Sequence, residues 1–302
     1  MRFFDYLWRD NDIKMTKGLS GKAAEDSVDH PVCPICSSGK VEPMPQHPEA
    51  ALYRCRACSH AFSVPSSIAS PETYSPEYFY EQHRRWFEHP NLPLFRSVLH
   101  FIPKGATVLD VGCGRGDFLR FAQKERPDLQ LSGIDLSENE SGDGIRFHTG
   151  EILSWETDER FDAIVSLAVI EHVDEVLLFV RRLKELTQGP GIIAAMTLND
   201  SSLLYALARV GRLAGVRIAF DRLYSKHHVH HFTPKSLRAA FEANGLRVMR
   251  QFSHAAPIEA MDIPVKSGFS DFVLRTGLRA VWAGGEVLGQ GYLQTIVCET
   301  PK

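Results

Sequence analysis

No apolar run in the sequence approaches the roughly 18 residues needed to cross a bilayer, and the opening MRFFDYLWRDNDIK carries acids too early for a secretory signal. The expectation is a cytoplasmic protein without a membrane partner. Neither sign of charge is in large excess. The 34 Lys and Arg set against 37 Asp and Glu leave −3, which provides no global attraction to phosphate backbones or anionic lipid. Nucleic acid is therefore possible but not favoured as a partner. Cysteine is sparse too. Four of the six fall in two Cys-x-x-Cys pairs, while Cys113 and Cys298 stand alone, a pattern that suggests metal rather than disulfides. No internal repeat is visible. What is present is 44 % apolar residues over 302 positions, enough for one large domain and a small companion.

The texture of the chain changes three times. Residues 1–30 read as a polar arm with two aromatic clusters. Residues 31–66 are short segments punctuated by proline and cysteine, too poor in apolar residues to build a core alone. From about 72 to 302 strand and helix patterns alternate: TVLDVG, LQLSGIDL, IRFHTG, FDAIVSLAV and GIIAAMTL read as strands, with helices DFLRFAQKER and VDEVLLFVRRLKELT among them. That alternation favours a parallel sheet with right-handed crossovers. Residues 200–232 interrupt it and read as an insertion over the carboxyl edge of the sheet. Thr233 then caps the helix PKSLRAAFEANG, and two further strands, LRVMRQFS and YLQTIVCET, close the chain.

The stretch DVGCGRGDF places Gly112, Gly114 and Gly116 directly after the first strand. Glycines at a strand-to-helix turn let backbone approach a ligand that a Cβ would block. A dinucleotide fingerprint requires glycine where Asp117 stands, and the Gly-Lys-Ser or Gly-Lys-Thr of a phosphate loop is absent. Asp110, just upstream, would repel a pyrophosphate but suits a ligand with an ammonium group. Asp135 ends the second strand 19 positions after Gly116, where an acid that binds a ribose is expected. The two acids together describe a pocket for an adenosyl group bearing an amino acid.

These residues resemble the class I S-adenosylmethionine-dependent methyltransferases, over about residues 75–302. VLDVGCGRG looks like their first motif, GIDLS like the second-strand acid, TGEI like the segment after the third strand and FDAIVSLAVIEHV like the fourth strand and its exit. The resemblance implies an α/β, Rossmann-like, doubly wound sheet of seven mostly parallel strands. It also implies that Leu136 and Ile152 sandwich adenine, that Glu151 caps the adenine amino group in place of the more usual aspartate, and that backbone near Leu167 reaches the methionine end.

Cys33 and Cys36, then Cys55 and Cys58, are separated by 18 residues, a spacing that fits a four-thiolate zinc site. Such a shell is closed, so the Zn²⁺ is expected to be structural and to stabilise this small N-terminal ribbon. Zinc ribbons accompany this catalytic domain both in ribosomal RNA guanine methyltransferases and in a broad group acting on small molecules. The ribbon's strong bases are Lys40, Arg54 and Arg56, set against Glu42 and Glu49, which favours a small-molecule acceptor such as a sugar or secondary metabolite. Methylation of an RNA base is the alternative, and a non-catalytic module that binds the cofactor is a third reading. A hydroxyl acceptor must lose a proton, for which histidine is the natural base. The candidates are His172 in IEHV, and His228 and His231 in HHVHHFT, with Arg222, Tyr205 and Tyr224 as candidate pocket residues. Oligomeric state is not legible.

Overall fold

The computed structural model describes residues 31–45, 47–65, 84–139, 141–142, 144–225, 227–261 and 268–301. The expected arm at 1–30 lies outside the described residues, as do residues 66–83 between the ribbon and the first helix. The described chain opens with a small meander of β1 (Val41–Pro43), β2 (Ala50–Cys55) and β3 (Ala61–Pro65), each antiparallel to the next. After the short helix α1 (Arg84–Glu88), the helix α2 (Leu92–Leu99) starts where the Asn91 side chain accepts from the Leu94 amide at 3.2 Å.

Alternation then follows as the sequence predicts: β4 (Thr107–Val111), α3 (Asp117–Glu125), β5 (Gln130–Asp135), β6 (Ile145–Thr149), β7 (Phe161–Leu167), α4 (Val176–Leu186) and β8 (Thr187–Leu198). β8 begins earlier than the expected Gly191, because Thr187 pairs with Phe161 before an irregularity restores the register at Ala163 and Ile192. The segment at 200–232 contains α5 (Leu203–Leu213), α6 (Ile218–Leu223) and the two-residue strand β9 (His230–His231). Then come α7 (Pro234–Glu242), β10 (Arg247–His254), a 3₁₀ turn at Ile258–Ala260, α8 (Gly268–Val287) and β11 (Leu293–Glu299). The predicted cap on α7 is a complete capping box, in which Thr233 and Ser236 satisfy each other's backbone amides, with Pro234 in the first turn.

The main sheet has seven strands in the order β10-β11-β8-β7-β4-β5-β6. All neighbours are parallel except β11, which runs antiparallel to both β8 and β10. This is the Rossmann-like architecture the sequence suggests. Because side chains alternate across a strand, Val108 of β4 and Ala194 of β8 join one apolar layer with α2, α3, α5 and α8, while Leu109 and Ala195 join the other with α4 and α7. Among the described residues no helix is long and apolar enough to cross a membrane.

One element has no counterpart in the sequence reading. β9 adds to the ribbon, giving a second sheet in the order β1-β2-β3-β9. Ala61 pairs with His231 and Phe62 with His230. Cys33, Cys55 and Cys58 of the ribbon accordingly share an apolar cluster with Leu109, Phe179 and Leu237 of the large domain.

Candidate active site

The chain leaves β4 toward β5 and β6 on one side and returns to β7 on the other, so the order of strands reverses between β4 and β7. Ligands of open α/β sheets bind in the crevice at the carboxyl ends at such a point. A cavity of about 660 Å³ opens there. Its floor is the glycine turn. Gly112 adopts φ +70°, and a Cβ on it would collide with the Val169 side chain. The Gly114 amide donates to Asp135 Oδ2 at 2.8 Å, and the Asn139 side-chain Nδ2 donates to the Gly114 carbonyl at 2.6 Å. The other Asp135 oxygen accepts from the Ser137 amide at 2.9 Å and its hydroxyl at 2.5 Å. Turn and second-strand acid are thus fixed as one unit.

Of the residues expected to hold cofactor, Asp110, Gly112, Gly114, Asp135, Leu136, Glu151, Ile152 and Leu167 all line this cavity. Gly116 does not. It lies at the start of α3 with φ +76°, and a Cβ there would come within 2.7 Å of Phe147, so its part is to pack the helix against β6. Asp110 is buried, and its carboxyl is pushed up to about 8 by burial first and by the charge of Asp135 second. A buried acid next to a second acid is a site that a cationic group relieves. Leu136 is 55 % exposed on the cavity wall, a large apolar side chain placed to cover the face of a planar ligand. The residues present therefore fit an adenosyl group with an ammonium tail.

The other end of the cavity is formed by the exit of β7, the α6 segment and the start of β11. Ala168 takes φ +60° just after β7, an uncommon conformation for a residue with a Cβ. Glu171, which is buried, and His172, which is half-buried, follow and face the cavity together with Arg222, His228 and Tyr292. The His172 Nδ1 lies 2.7 Å from the His227 carbonyl. A carbonyl oxygen only accepts, so Nδ1 carries the proton and Nε2 is the basic nitrogen. Burial lowers the His172 pKa to about 4 and so keeps the ring neutral, and the rings of His172 and His228 meet edge-on with centroids 4.9 Å apart. Burial pushes Glu171 up to about 7, while its Oε2 accepts from the Thr197 hydroxyl at 2.9 Å.

His231 is not part of this arrangement. The structure buries it against the Tyr224 ring, 4.6 Å between centroids, with its pKa lowered to about 3 by burial. Strand alternation explains this placement, since pairing with β3 sends His230 toward His60 and His231 toward the opposite face. Tyr205 and Tyr224 are likewise packed inside the cap, the Tyr224 hydroxyl donating to Asp200 at 2.5 Å, whereas Arg222 does reach the cavity. Glu171 and Tyr292 are among the polar lining residues not singled out from sequence. Glu171 was legible as the neighbour of His172, but Tyr292, at the entrance to the last strand, carries no local signal.

The four ribbon cysteines offer sulfurs within 4.8 Å of one another. Cys33 and Cys58 Sγ are 3.5 Å apart, and Cys36 and Cys55 Sγ 3.6 Å. Tetrahedral zinc with bonds of about 2.3 Å sets sulfurs about 3.8 Å apart, so these residues fit the ion with small adjustment. Among the described residues no other cluster of metal-ligating groups occurs, and the histidine run is not one.

Comparison with known proteins agrees with this geometry. A family described as "methyltransferase domain" matches residues 80–251. The ubiquinone biosynthesis O-methyltransferase of Azorhizobium caulinodans is 35 % identical over 120 residues, 36 % of this chain and 46 % of that protein. The mitochondrial ubiquinone biosynthesis O-methyltransferase of Dictyostelium discoideum is 26 % identical over 181 residues, 52 % of this chain and 55 % of that one. The chain thus spans about half the length of these curated relatives. Among solved structures, Burkholderia thailandensis 1,6-didemethyltoxoflavin-N1-methyltransferase with 1,6-didemethyltoxoflavin and S-adenosylhomocysteine superposes with a TM-score of 0.50 at 14 % identity, covering 86 % of this chain and 100 % of that one. Haemonchus contortus phosphoethanolamine N-methyltransferase 2 with phosphomonomethylethanolamine and S-adenosylhomocysteine gives 0.51 at 14 % identity, covering 80 % and 62 %. These two establish a shared fold.

Proposed function

Because the chain belongs to the methyltransferase-domain family, we propose that it moves a methyl group from S-adenosylmethionine to an oxygen of a small, largely apolar molecule in the cytoplasm, with a structural zinc in its ribbon. The observation that carries the reading is the continuity of one cavity from Asp110, Gly114 and Asp135 to His172, His228 and Arg222. When bound, the cofactor supplies an electrophilic methyl on a sulfonium. Asp110 would hold its ammonium, Asp135 its ribose, Leu136 and Ile152 the two faces of adenine, Glu151 the adenine amine, and backbone near Leu167 the methionine end. Orientation of a hydroxyl toward that methyl is then the largest contribution the protein makes. The His172 Nε2, held in its neutral form, accepts the hydroxyl proton, and His228 confines the acceptor from the facing side.

The acceptor end is walled by Trp86, Phe95, Met196, Leu198 and Leu293. A free sugar would leave hydroxyls unpaired against such a wall, so an apolar ring with a hydroxyl suits it better. The naming of the sequence relatives as O-methyltransferases supports oxygen as the acceptor atom. The experiment is to offer cofactor with a panel of phenols and free sugars and to follow formation of S-adenosylhomocysteine. His172→Gln is expected to lower kcat roughly a hundredfold while calorimetric binding of S-adenosylhomocysteine is unchanged, and Asp135→Ala to abolish that binding. Full turnover in His172→Gln removes the base, and unchanged binding in Asp135→Ala removes the site.

A further inference from the structure

The ribbon raises a question that zinc alone does not answer: what it does for the large domain. Its β3 edge, the surface on which a ribbon takes up a partner strand, is already filled by β9. The pairing extends upstream of β9 to the histidine that lines the cavity. The Ser63 amide donates to the Val229 carbonyl at 3.0 Å, and the Ser63 hydroxyl donates to the His228 carbonyl at 2.7 Å. From the other side the Val229 and His230 amides donate to the Glu171 carbonyl at 2.9 and 3.1 Å, and His172 Nδ1 donates to the His227 carbonyl at 2.7 Å. Residues 227–230 are therefore gripped between the exit of β7 and the third strand of the ribbon.

The grip is anchored on the ribbon's side by groups that converge from both bodies. His60 lies 3.0 Å from His230 Nδ1 through one ring nitrogen and 3.3 Å from the Ser236 hydroxyl through the other. Lys235 donates to the Ala57 carbonyl at the tip of the second cysteine knuckle at 2.7 Å. Arg54 meets the buried Asp200 at 2.8 Å. Ser63 itself is buried, 6 % exposed, and the direction of its hydroxyl is set by the ladder it belongs to.

We propose that Ser63 is a positioning residue for the acceptor end of the cavity, and that the ribbon serves the reaction by holding His228 beside His172. Among the described residues, none of the ribbon lines the cavity. The ribbon acts on the acceptor end through the backbone of residues 227–230, whereas the polar groups of the cofactor end, Asp110, Gly114 and Asp135, take no hydrogen bond from it. The inference rests on the reading of His172 and His228 as the acceptor end, and the experiment separates the two.

The test uses the full-length, zinc-loaded chain with ¹⁵N-labelled histidine, in complex with S-adenosylhomocysteine. Ring signals of His228 and His172 are assigned from His228→Gln and His172→Gln. In Ser63→Ala, the His228 ring signals are expected to shift and broaden, while those of His254, remote on β10, stay in place and report an intact fold. S-adenosylhomocysteine affinity is expected to be unchanged. Ser63→Thr, which keeps the hydroxyl, is expected to restore the His228 signals. With any acceptor that turns over, Ser63→Ala is expected to lower kcat/KM for that acceptor roughly tenfold without altering cofactor KM. Undisturbed His228 signals in Ser63→Ala overturn the proposal, as does a loss of cofactor affinity equal to the loss of turnover. Full turnover in His228→Gln would instead overturn the assignment of the acceptor end, leaving the spectroscopic result to stand as a purely structural grip.

Discussion

Asp110 shows what one residue imposes on the site. Its folded pKa of about 8 lies above the ordinary 3.8, so in the ligand-free protein it holds a proton at neutral pH, and the free protein loses stability from this group as pH climbs from about 4 to about 8. An ammonium ligand needs the carboxylate. Binding of S-adenosylhomocysteine is therefore expected to expel a proton, and affinity to rise with pH, approaching tenfold per unit below about 8 and flattening above it. Calorimetry at pH 6, 7 and 8, in buffers of different ionisation enthalpy, measures both effects. Asp110→Asn is expected to weaken binding and to flatten the profile, and a flat profile in the unaltered protein contradicts the assignment. Residues of this kind were legible in the sequence because the chemistry demands a fixed type at a fixed distance from a strand end: Asp110, Gly112, Gly114, Asp135 and the four cysteines. Tyr292 and the placement of His231 were not, since they follow from which strand lies beside which. Four imidazoles within five residues look alike until β3 decides which way each one points.

Elements follow the same division. The parallel strands and α7 announce themselves through continuous apolar runs, a Thr-Pro start and a Gly stop, so their positions along the chain could be expected. A strand of two residues has no period to read, and β9 was therefore invisible, as was the ladder it completes. What locks that ladder to the cap is a buried junction, in which Asp200, 1 % exposed, meets Arg54 of β2 at 2.8 Å, Arg209 of α5 at 3.2 Å and the Tyr224 hydroxyl at 2.5 Å. Removing a buried carboxylate leaves its cations uncompensated. Asp200→Ala is expected to cost about 3 kcal/mol, the lower end for a buried pair because both arginines keep part of their surface in water. Urea unfolding of the two proteins checks this, and a difference under about 1 kcal/mol would place the pair in the class of exposed bridges. Thr233→Ala, which removes one half of the capping box on α7, is expected to cost about 1 kcal/mol by the same measurement.

At the scale of the whole molecule, the ribbon's place in the shared core changes what metal removal should do. A ribbon tethered by a linker would lose its zinc and unfold by itself, leaving the large domain untouched. Here Cys33, Ile35, Cys55 and Cys58 lie in the same apolar cluster as Leu109, Phe179 and Leu237, and β3 is bonded to β9. If the four cysteines hold zinc as proposed, metal binding and folding of the large domain are expected to be coupled. The sequence allowed either arrangement, because ligand spacing specifies the knuckle and says nothing of its neighbours. Tryptophan fluorescence distinguishes them, since the four tryptophans are at 8, 86, 155 and 282 and none falls between 31 and 66. In a coupled molecule, chelating the zinc lowers the thermal midpoint seen by fluorescence, and returning free zinc raises it by mass action, about 1.4 kcal/mol for each tenfold excess over its dissociation constant. Circular dichroism and fluorescence are expected to report one coincident transition at every zinc concentration. A fluorescence midpoint indifferent to chelator, with a separate zinc-dependent step seen only by circular dichroism, would mean that the shared ladder transmits nothing, and the grip on His228 would lose its physical basis.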